Sequence, residues 1–297
     1  MASASIPVDL FNPGQVFACF GFLEVADHLL GRARAGFDWS SDNEKALFHL
    51  NAVGDRNPVY AVLKCLESST VRSIAPHGSE LSTEKWGVPT VALAMDSSFS
   101  IALPDSPATL PVQLECQFDG DSLVLHLDHW GDASGRDNVK FWAGSGGYPG
   151  AALFRDALEL VRGQLAEAAA DPFAVSSAQS SSFRFDWRRD YIPLDAGFSP
   201  NEHGNLVMIG FPIVELLAVI GLTDARPRRS ERTKLEYRYS VLGVKDPGDL
   251  YDPILMRAAL GGVEMHLPHR DFVMQLGWPG KENQARCITY VTEETRG

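Results

Sequence analysis

The stretch NPGQVFACFGFLEVADHLLG, residues 12–31, gives the clearest secondary-structure signal in this chain. Asn12 is a favourable N-cap, Pro13 suits the first helical position, and Gly31 suits the end of the last turn. Between them, apolar residues recur mostly at spacings of three and four, which predicts a helix with one apolar face. We therefore expect this helix to pack against a hydrophobic core.

A similar pattern returns in the last third of the chain. Pro212–Leu222, PIVELLAVIGL, is predicted to form an apolar helix that also begins at a proline. Gly21 and Gly221 stand at similar distances from the two starting prolines. This echo is compatible with two similar halves, but unrelated apolar helices often resemble one another, so both interpretations stay open.

Strand patterns fill much of the remaining sequence. Val112–Phe118 and Ser122–Leu127 flank Asp119-Gly120-Asp121, which is a hairpin signal. Further helices are predicted after Asn57-Pro58 and over residues 151–169. Further strands are predicted over residues 88–95, 99–103, 139–142, 183–187, 236–242, 263–267, 272–276 and 286–292. Many strands with few helices indicate the α+β class, with mixed or antiparallel sheets.

Length and composition limit the organisation of the chain. Its 297 residues allow about two domains or one large one. Asp171–Ser182 is rich in Ser, Ala and Pro and is the predicted boundary between two α+β parts, residues 1–175 and 183–297. Lys and Arg number 26 against 38 Asp and Glu, a formal net charge of −12. Because free-standing nucleic-acid binders usually carry a basic surplus, the bulk charge argues against that class.

The same composition favours a protein of the cytoplasm. No run of about 18 apolar residues is present, so we expect no membrane-spanning segment. Met1–Val8 lacks the positive charge and the apolar core of a secretory signal. Cys19, Cys65, Cys116 and Cys287 lie far apart without a C-x-x-C motif, so reduced thiols are the simplest expectation.

Positive charge is concentrated in one window of this acidic chain. Arg226–Ser240 contains several cations against only two carboxylates, and Phe183–Tyr191 mixes arginines with aromatic residues. Arginine makes bidentate contacts with phosphate, and aromatic rings stack on bases. The residues predicted to bind a nucleic acid or a partner are Arg184, Arg188, Arg189, Arg226, Arg228, Arg229, Arg232, Lys234, Arg238, Tyr237 and Tyr239.

A structural role is the competing interpretation of this basic set. Asp186, Asp190, Glu231 and Glu236 stand among the cations and are able to neutralise them in local ion pairs. In that case the arginines stabilise the fold and bind nothing else. The two interpretations stay open at the level of sequence.

A glycine-rich run precedes the helix predicted over residues 151–169. Gly144, Gly146 and Gly147 allow backbone amides to approach a phosphate just before a helix begins. The run matches neither the dinucleotide-binding spacing nor the P-loop spacing, so no nucleotide cofactor is implied. A simple turn into a helix is the alternative.

Catalytic signals are weak. Two H-x-x-H pairs occur, and with Asp128 they form the candidate metal ligands His126, Asp128, His129, His266 and His269. Residues three apart on a strand point to opposite faces, and Pro268 disfavours a helix around the second pair. No nucleophile elbow is present. We therefore predict no metal and no catalytic residue, with a metal-dependent nuclease or hydrolase as the alternative.

Several segments resemble a CRISPR-associated family of type I-G (formerly type I-U) loci. The similar segments are Asn12–Gln15, Phe17–Glu24, Phe185–Trp187, Leu194–Ser199, and Pro212–Leu222 continuing to Arg226-Pro227. They cover the first helix and about a quarter of the chain after Phe183. They are structural motifs rather than catalytic ones.

This resemblance implies a cytoplasmic bacterial protein of antiviral defence. It implies a non-catalytic subunit or adaptor of a type I-G interference system, working beside a multisubunit crRNA-guided effector complex and a separate helicase-nuclease. Its partners are then effector subunits together with crRNA or target DNA. A pure protein-interaction module without nucleic-acid contact is a further alternative.

Overall fold

The computed structural model describes residues 1–40, 46–94, 104, 106–130, 147–189, 208–230, 233, 235–246, 248–277 and 286–294. The α-helices in these ranges are α1 (Pro13–Leu30), α2 (Pro58–Ser68), α3 (Gly150–Val161), α4 (Pro212–Asp224) and α5 (Pro253–Leu260). α1, α2, α4 and α5 each begin at a proline. Proline is favourable at this position because the first backbone N–H groups of a helix have no partner within the helix.

Three main sheets accompany the helices. The first, in the order β1-β3-β2, is antiparallel and contains β1 (Ala2–Val8), β2 (Arg34–Asp38) and β3 (Ala46–Ala52). The second, in the order β5-β4-β6-β7, pairs β4 in parallel with β5 and otherwise antiparallel. Its strands are β4 (Thr70–Ala75), β5 (Thr90–Ala92), β6 (Val112–Phe118) and β7 (Asp121–Leu127).

The third sheet belongs to the C-terminal part. It is antiparallel in the order β10-β11-β12-β13, after a short pair formed by β8 (Ser177–Ala178) and β9 (Ile209–Gly210). Its strands are β10 (Arg228–Arg229), β11 (Glu236–Leu242), β12 (His269–Gly277) and β13 (Cys287–Glu294). The combination of helices with mostly antiparallel sheets confirms the α+β class.

Helices α1 and α4 cross at the centre of the molecule. Both are buried along most of their length, on all sides rather than on one face. A Cβ atom on Gly21 would lie 2.1 Å from the carbonyl oxygen of Leu217, and one on Gly221 would lie 2.2 Å from the carbonyl oxygen of Phe17. The two glycines therefore let the backbones touch, and each glycine meets the residue four positions before the other.

The element order gives further support to two similar halves. A proline-started helix, two strands, a second proline-started helix and a further strand occur as α1-β2-β3-α2-β4 and again as α4-β10-β11-α5-β12. The second helix of each half has a side-chain cap. The Asn57 side chain accepts from the Tyr60 amide at 3.0 Å, and the Asp252 carboxylate accepts from the Leu255 amide at 2.9 Å. The pairing differs, because β3 joins β1 and β2 whereas β11 joins β10 and β12.

Several predicted elements are confirmed. The helix over 12–31 and the helix after Pro212 are present, and Asp119 and Gly120, with φ of 54° and 92°, form the hairpin turn between β6 and β7. The helix predicted over 151–169 ends at Val161, and Gly163 with φ of 87° separates it from a 3-10 turn at Ala166–Ala170.

The remaining strand predictions have mixed outcomes. The strands predicted over 236–242 and 272–276 are confirmed as β11 and as part of β12. Residues 183–187 and 263–267 form no strand. Residues 99–103 and 139–142 lie outside the described residues.

A disulfide joins Cys65 of α2 to Cys116 of β6, with 5.4 Å between their Cα atoms. The expectation of four reduced thiols is therefore wrong for this pair, because sequence spacing does not show which cysteines meet in space. Cys19 and Cys287 are free, and burial raises the pKa of both thiols. Across the described ranges, we find no helix with the length and apolar character needed to cross a membrane.

Candidate nucleic-acid interface

The edge of the third sheet displays the most accessible members of the predicted basic set. Register places Arg228 of β10 directly opposite Arg238 of β11, and Arg229 opposite Tyr237. Arg228 is exposed, and its side chain lies against the Gly261-Gly262 turn that follows α5. Among the described residues, the guanidinium groups of Arg228 and Arg229 have no hydrogen bond and no ion pair.

The other described arginines of the set are engaged within the chain. Arg188 donates to the Asp186 carboxylate at 2.6 Å and to the Phe173 carbonyl at 2.8 Å, and its guanidinium lies 3.7 Å from the centre of the Phe211 ring. This side chain therefore fixes the loop that carries it.

Three more arginines have intramolecular partners at the surface or below it. Arg189 is partly buried and donates to the Ser180 carbonyl at 3.0 Å. Arg226 reaches Asp128 at 3.6 Å, and Arg238 reaches Glu294 at 3.0 Å. Arg184 has φ of 63°. Its positive charge is near Cys287 and partly offsets the rise that burial causes in the pKa of the Cys287 thiol.

Both tyrosines of the predicted set belong to the core. Tyr237 and Tyr239 are 1% and 0% exposed, because they occupy the inner face of β11. The Tyr239 hydroxyl donates to the Leu10 carbonyl at 2.8 Å, and its ring stacks on Phe272. The structure thus leaves neither ring accessible for stacking on a base. Among the described aromatic residues, Trp187 is 51% exposed and Tyr290 of β13 is 64% exposed.

Some predicted residues cannot be placed. Arg232, Lys234, Gly144 and Gly146 lie outside the described residues. Gly147 is described, with φ of 73°, ahead of α3.

The histidine pairs do not assemble a metal centre in the described ranges. His126 lies on β7 and His269 on β12, which belong to different sheets. His129 is fully buried against the rings of Trp130 and Phe185, and burial lowers its pKa to about 3. No group of three or more His, Cys, Asp or Glu side chains suited to a metal ion occurs among the described residues.

Sequence reasoning missed a buried polar network between the starts of α1 and α4. Asn12 donates to the Asp186 carboxylate at 2.9 Å, and the Glu215 carboxylate accepts from the Phe185 amide at 3.0 Å. Gly14 is needed there, because a Cβ would lie 2.6 Å from the Phe185 carbonyl group. Burial raises the pKa of Glu215 to about 7. The sequence did not predict that Asp186 and Glu215 are buried, because acidic residues are common in this chain and most of them are expected at the surface.

Sequence reasoning also missed two arginines beside a cavity. Arg32 and Arg34 line a cavity of about 700 Å³, with Asn51 and Asp252 among its other lining residues. Neither cation lies in a charge-rich segment of the sequence, so no local pattern marks them.

No protein-family model, curated protein or solved structure significantly matches this chain.

Proposed function

We propose that the protein is a non-catalytic subunit or adaptor of a type I-G CRISPR interference system in the bacterial cytoplasm. In this proposal it contacts crRNA or target DNA through Arg228 and Arg229, and other surfaces bind effector subunits and the helicase-nuclease. The resemblance supports this proposal because its described segments are distant in sequence but pack together at the centre of the fold. These segments are Asn12–Gln15, Phe17–Glu24, Phe185–Trp187 and Pro212–Leu222.

The observation that carries the proposal is the unpaired state of Arg228 and Arg229. Like charges placed directly opposite each other on a sheet destabilise it. Arg228 faces Arg238, and Glu294 offsets only the charge of Arg238. A phosphate group bound at this edge would compensate the charge of Arg228 and Arg229. No described carboxylate of the chain forms an ion pair with either residue.

The net charge of −12 is compatible with a local contact of this kind. Screening limits charge effects at the surface to about 8–10 Å at physiological ionic strength. A small basic edge therefore attracts a phosphate backbone held by neighbouring subunits, while the acidic remainder weakens binding to free polynucleotide. The protein is consequently expected to bind nucleic acid better as part of a complex than alone.

The test compares the double variant Arg228→Ala/Arg229→Ala with wild type. We expect weaker binding of labelled single-stranded RNA or DNA and a slope of log affinity against log salt that is about 1.4 smaller, since each lost phosphate contact removes about 0.7. Arg56→Ala/Arg72→Ala is the matched control, because it removes the same charge from arginines paired with Asp119 and Glu115.

Two outcomes would contradict the proposal. Equal salt slopes for the two double variants would show that Arg228 and Arg229 do not contact nucleic acid. Co-purification with effector subunits that survives nuclease treatment, without any binding of labelled RNA or DNA, would favour a pure protein-interaction module.

A further inference from the structure

The cavity beside Arg32 and Arg34 lies where the two halves meet. Its walls come from the end of α1, from β2 and β3, and from the Gly248–Pro253 segment that leads into α5. Ala35 and Tyr251 exchange two backbone hydrogen bonds of 2.9 Å, which fix this segment to β2. The cavity is therefore preformed, and its volume of about 700 Å³ falls within the usual range of ligand sites, about 300–1,000 Å³.

Two cations at this cavity have no intramolecular partner. The side chains of Arg32 and Arg34 are exposed, and within the described part of the chain neither forms a hydrogen bond or an ion pair. Arg32 has φ of 50°, a conformation that costs a non-glycine residue free energy and that concentrates at functional sites. Arg34 stands opposite Asn51 in the register of β2 and β3, which adds an amide beside the guanidinium groups.

Two carboxylates also line the cavity, and both serve the backbone. Asp27 accepts from the Ala33 amide at 2.8 Å, and Asp252 accepts from the Leu255 amide at 2.9 Å. Charges of both signs thus line the cavity, so its positive field is confined to the neighbourhood of the two guanidinium groups. A long polyanion would be repelled by Asp27 and Asp252, whereas a single carboxylate between the guanidinium groups gains short, charge-assisted hydrogen bonds.

Apolar residues complete the lining and its rim. Leu250 and Pro253 line the cavity, and the adjacent Ile254 is 75% exposed at the start of α5. Leu255, the next residue, is 38% exposed, so the start of α5 presents two neighbouring aliphatic side chains to solvent beside the cavity. An aliphatic side chain next to the bound carboxylate would bury this surface.

We propose that this cavity binds an acidic side chain flanked by aliphatic residues, presented by a segment of a partner protein. In this complex the carboxylate binds Arg32 and Arg34, and the aliphatic group packs against Pro253 and Ile254. This site is separate from the Arg228–Arg229 edge and does not depend on the proposed nucleic-acid contact.

The test is a selection of phage-displayed random heptapeptides on the full chain and, in parallel, on Arg34→Gln. We expect peptides enriched in Asp or Glu next to Leu, Ile or Val on wild type and loss of this enrichment on the variant. A selected peptide, synthesised with Asn or Gln in place of its acid, is expected to bind at least about tenfold more weakly, since a hydrogen bond to a charged group is lost.

Controls separate this site from a general charge effect and from the proposed function. Arg72→Gln removes a cation that is paired with Glu115 on the second sheet and should leave peptide binding unchanged. Arg34→Gln should keep the melting temperature of wild type and its binding of labelled single-stranded RNA, and Arg228→Ala/Arg229→Ala should keep peptide binding. Failure to select any acidic peptide, or equal affinity of the acid and amide forms, would overturn the proposal.

Discussion

Glu215 is a buried carboxyl group whose pKa lies far above that of an exposed glutamate. One of its carboxylate oxygens accepts the amides of Phe185 and Asp186, and the other is buried without a hydrogen-bond partner among the described residues. Burial is the main cause of its pKa of about 7, and the nearby Asp186 charge adds to it while Arg189 opposes it. Near neutral pH this side chain changes charge inside the fold.

The stability of the protein should therefore depend on the ionisation of Glu215. Because the folded-state pKa lies above the ordinary value of 4.5, its favourable contribution is complete below pH 4.5 and is lost as pH rises through about 7. The loss amounts to roughly 3 kcal/mol between those limits. Denaturant unfolding of wild type and Glu215→Gln at pH 4.5, 6 and 8 measures it as the change in their difference.

The comparison with Glu215→Gln also removes the opposing effect of His129. Its pKa of about 3 lies below the ordinary 6.5, so its contribution is present above pH 6.5 and is lost as pH falls toward 3. This effect is the same in both proteins and cancels in their difference. A difference that stays constant from pH 4.5 to 8 would show that Glu215 titrates like a surface carboxylate.

At the scale of elements, the crossing of α1 and α4 sets a strict limit on side-chain size. Gly221→Ala would place a methyl group 2.2 Å from the Phe17 carbonyl oxygen, so one helix must move. Overpacking of this kind costs typically about 1–3 kcal/mol of unfolding free energy. Urea unfolding should show that loss.

Gly248→Ala is the matched control. Among the described residues, the atom nearest its new Cβ would be an Asp246 carboxylate oxygen at 3.5 Å, an ordinary van der Waals distance. We expect a change within about 0.5 kcal/mol for this exposed position. Equal effects of the two substitutions would mean that the helices do not touch at Gly221.

The elements that could be predicted are those with strong local signals. Pro13 and Gly31 bound α1, and Asp119-Gly120 turns β6 into β7, because these residues prefer those backbone conformations on their own. The first sheet was missed because its strands contain few β-branched residues: β1 has two, and β2 and β3 have none. Phe183–Trp187 was predicted as a strand from its alternation, but its amides bind Glu215 instead of a neighbouring strand.

At the scale of the whole molecule, the two parts share one hydrophobic core. The core cluster contains α1 and sheet residues of the N-terminal part together with α4 and β11 of the C-terminal part. Polar contacts also cross between the parts, since Arg257 of α5 donates to the buried Glu24 of α1. The boundary predicted at Asp171–Ser182 thus separates parts of the sequence that complete each other in space.

Fragments 1–175 and 183–297 should therefore fail to fold separately. Each would expose the face of its central helix, α1 or α4, to water. We expect neither fragment to show a cooperative thermal transition by circular dichroism, while the intact chain unfolds in a single step. A sharp transition in either fragment alone would contradict a shared core.

The candidate sites could be predicted only in part. Arg228 and Arg229 stand in a visibly basic window, so composition found them. Composition could not show that Arg188 and Arg238 are paired or that Tyr237 and Tyr239 are buried, because those outcomes depend on distant residues such as Phe173, Glu294 and Leu10. Arg32 and Arg34 could not be predicted as site residues, because the cavity that they line also requires the distant Gly248–Pro253 segment.

Neither Gly21 nor Gly221 can drift by itself during evolution. Each is blocked by a main-chain oxygen, which has no smaller version that a compensating mutation could supply. We therefore expect the two positions to be constrained together in evolution, although they are 200 residues apart in the sequence. A homologue with a larger residue at either position is expected to have α1 and α4 farther apart.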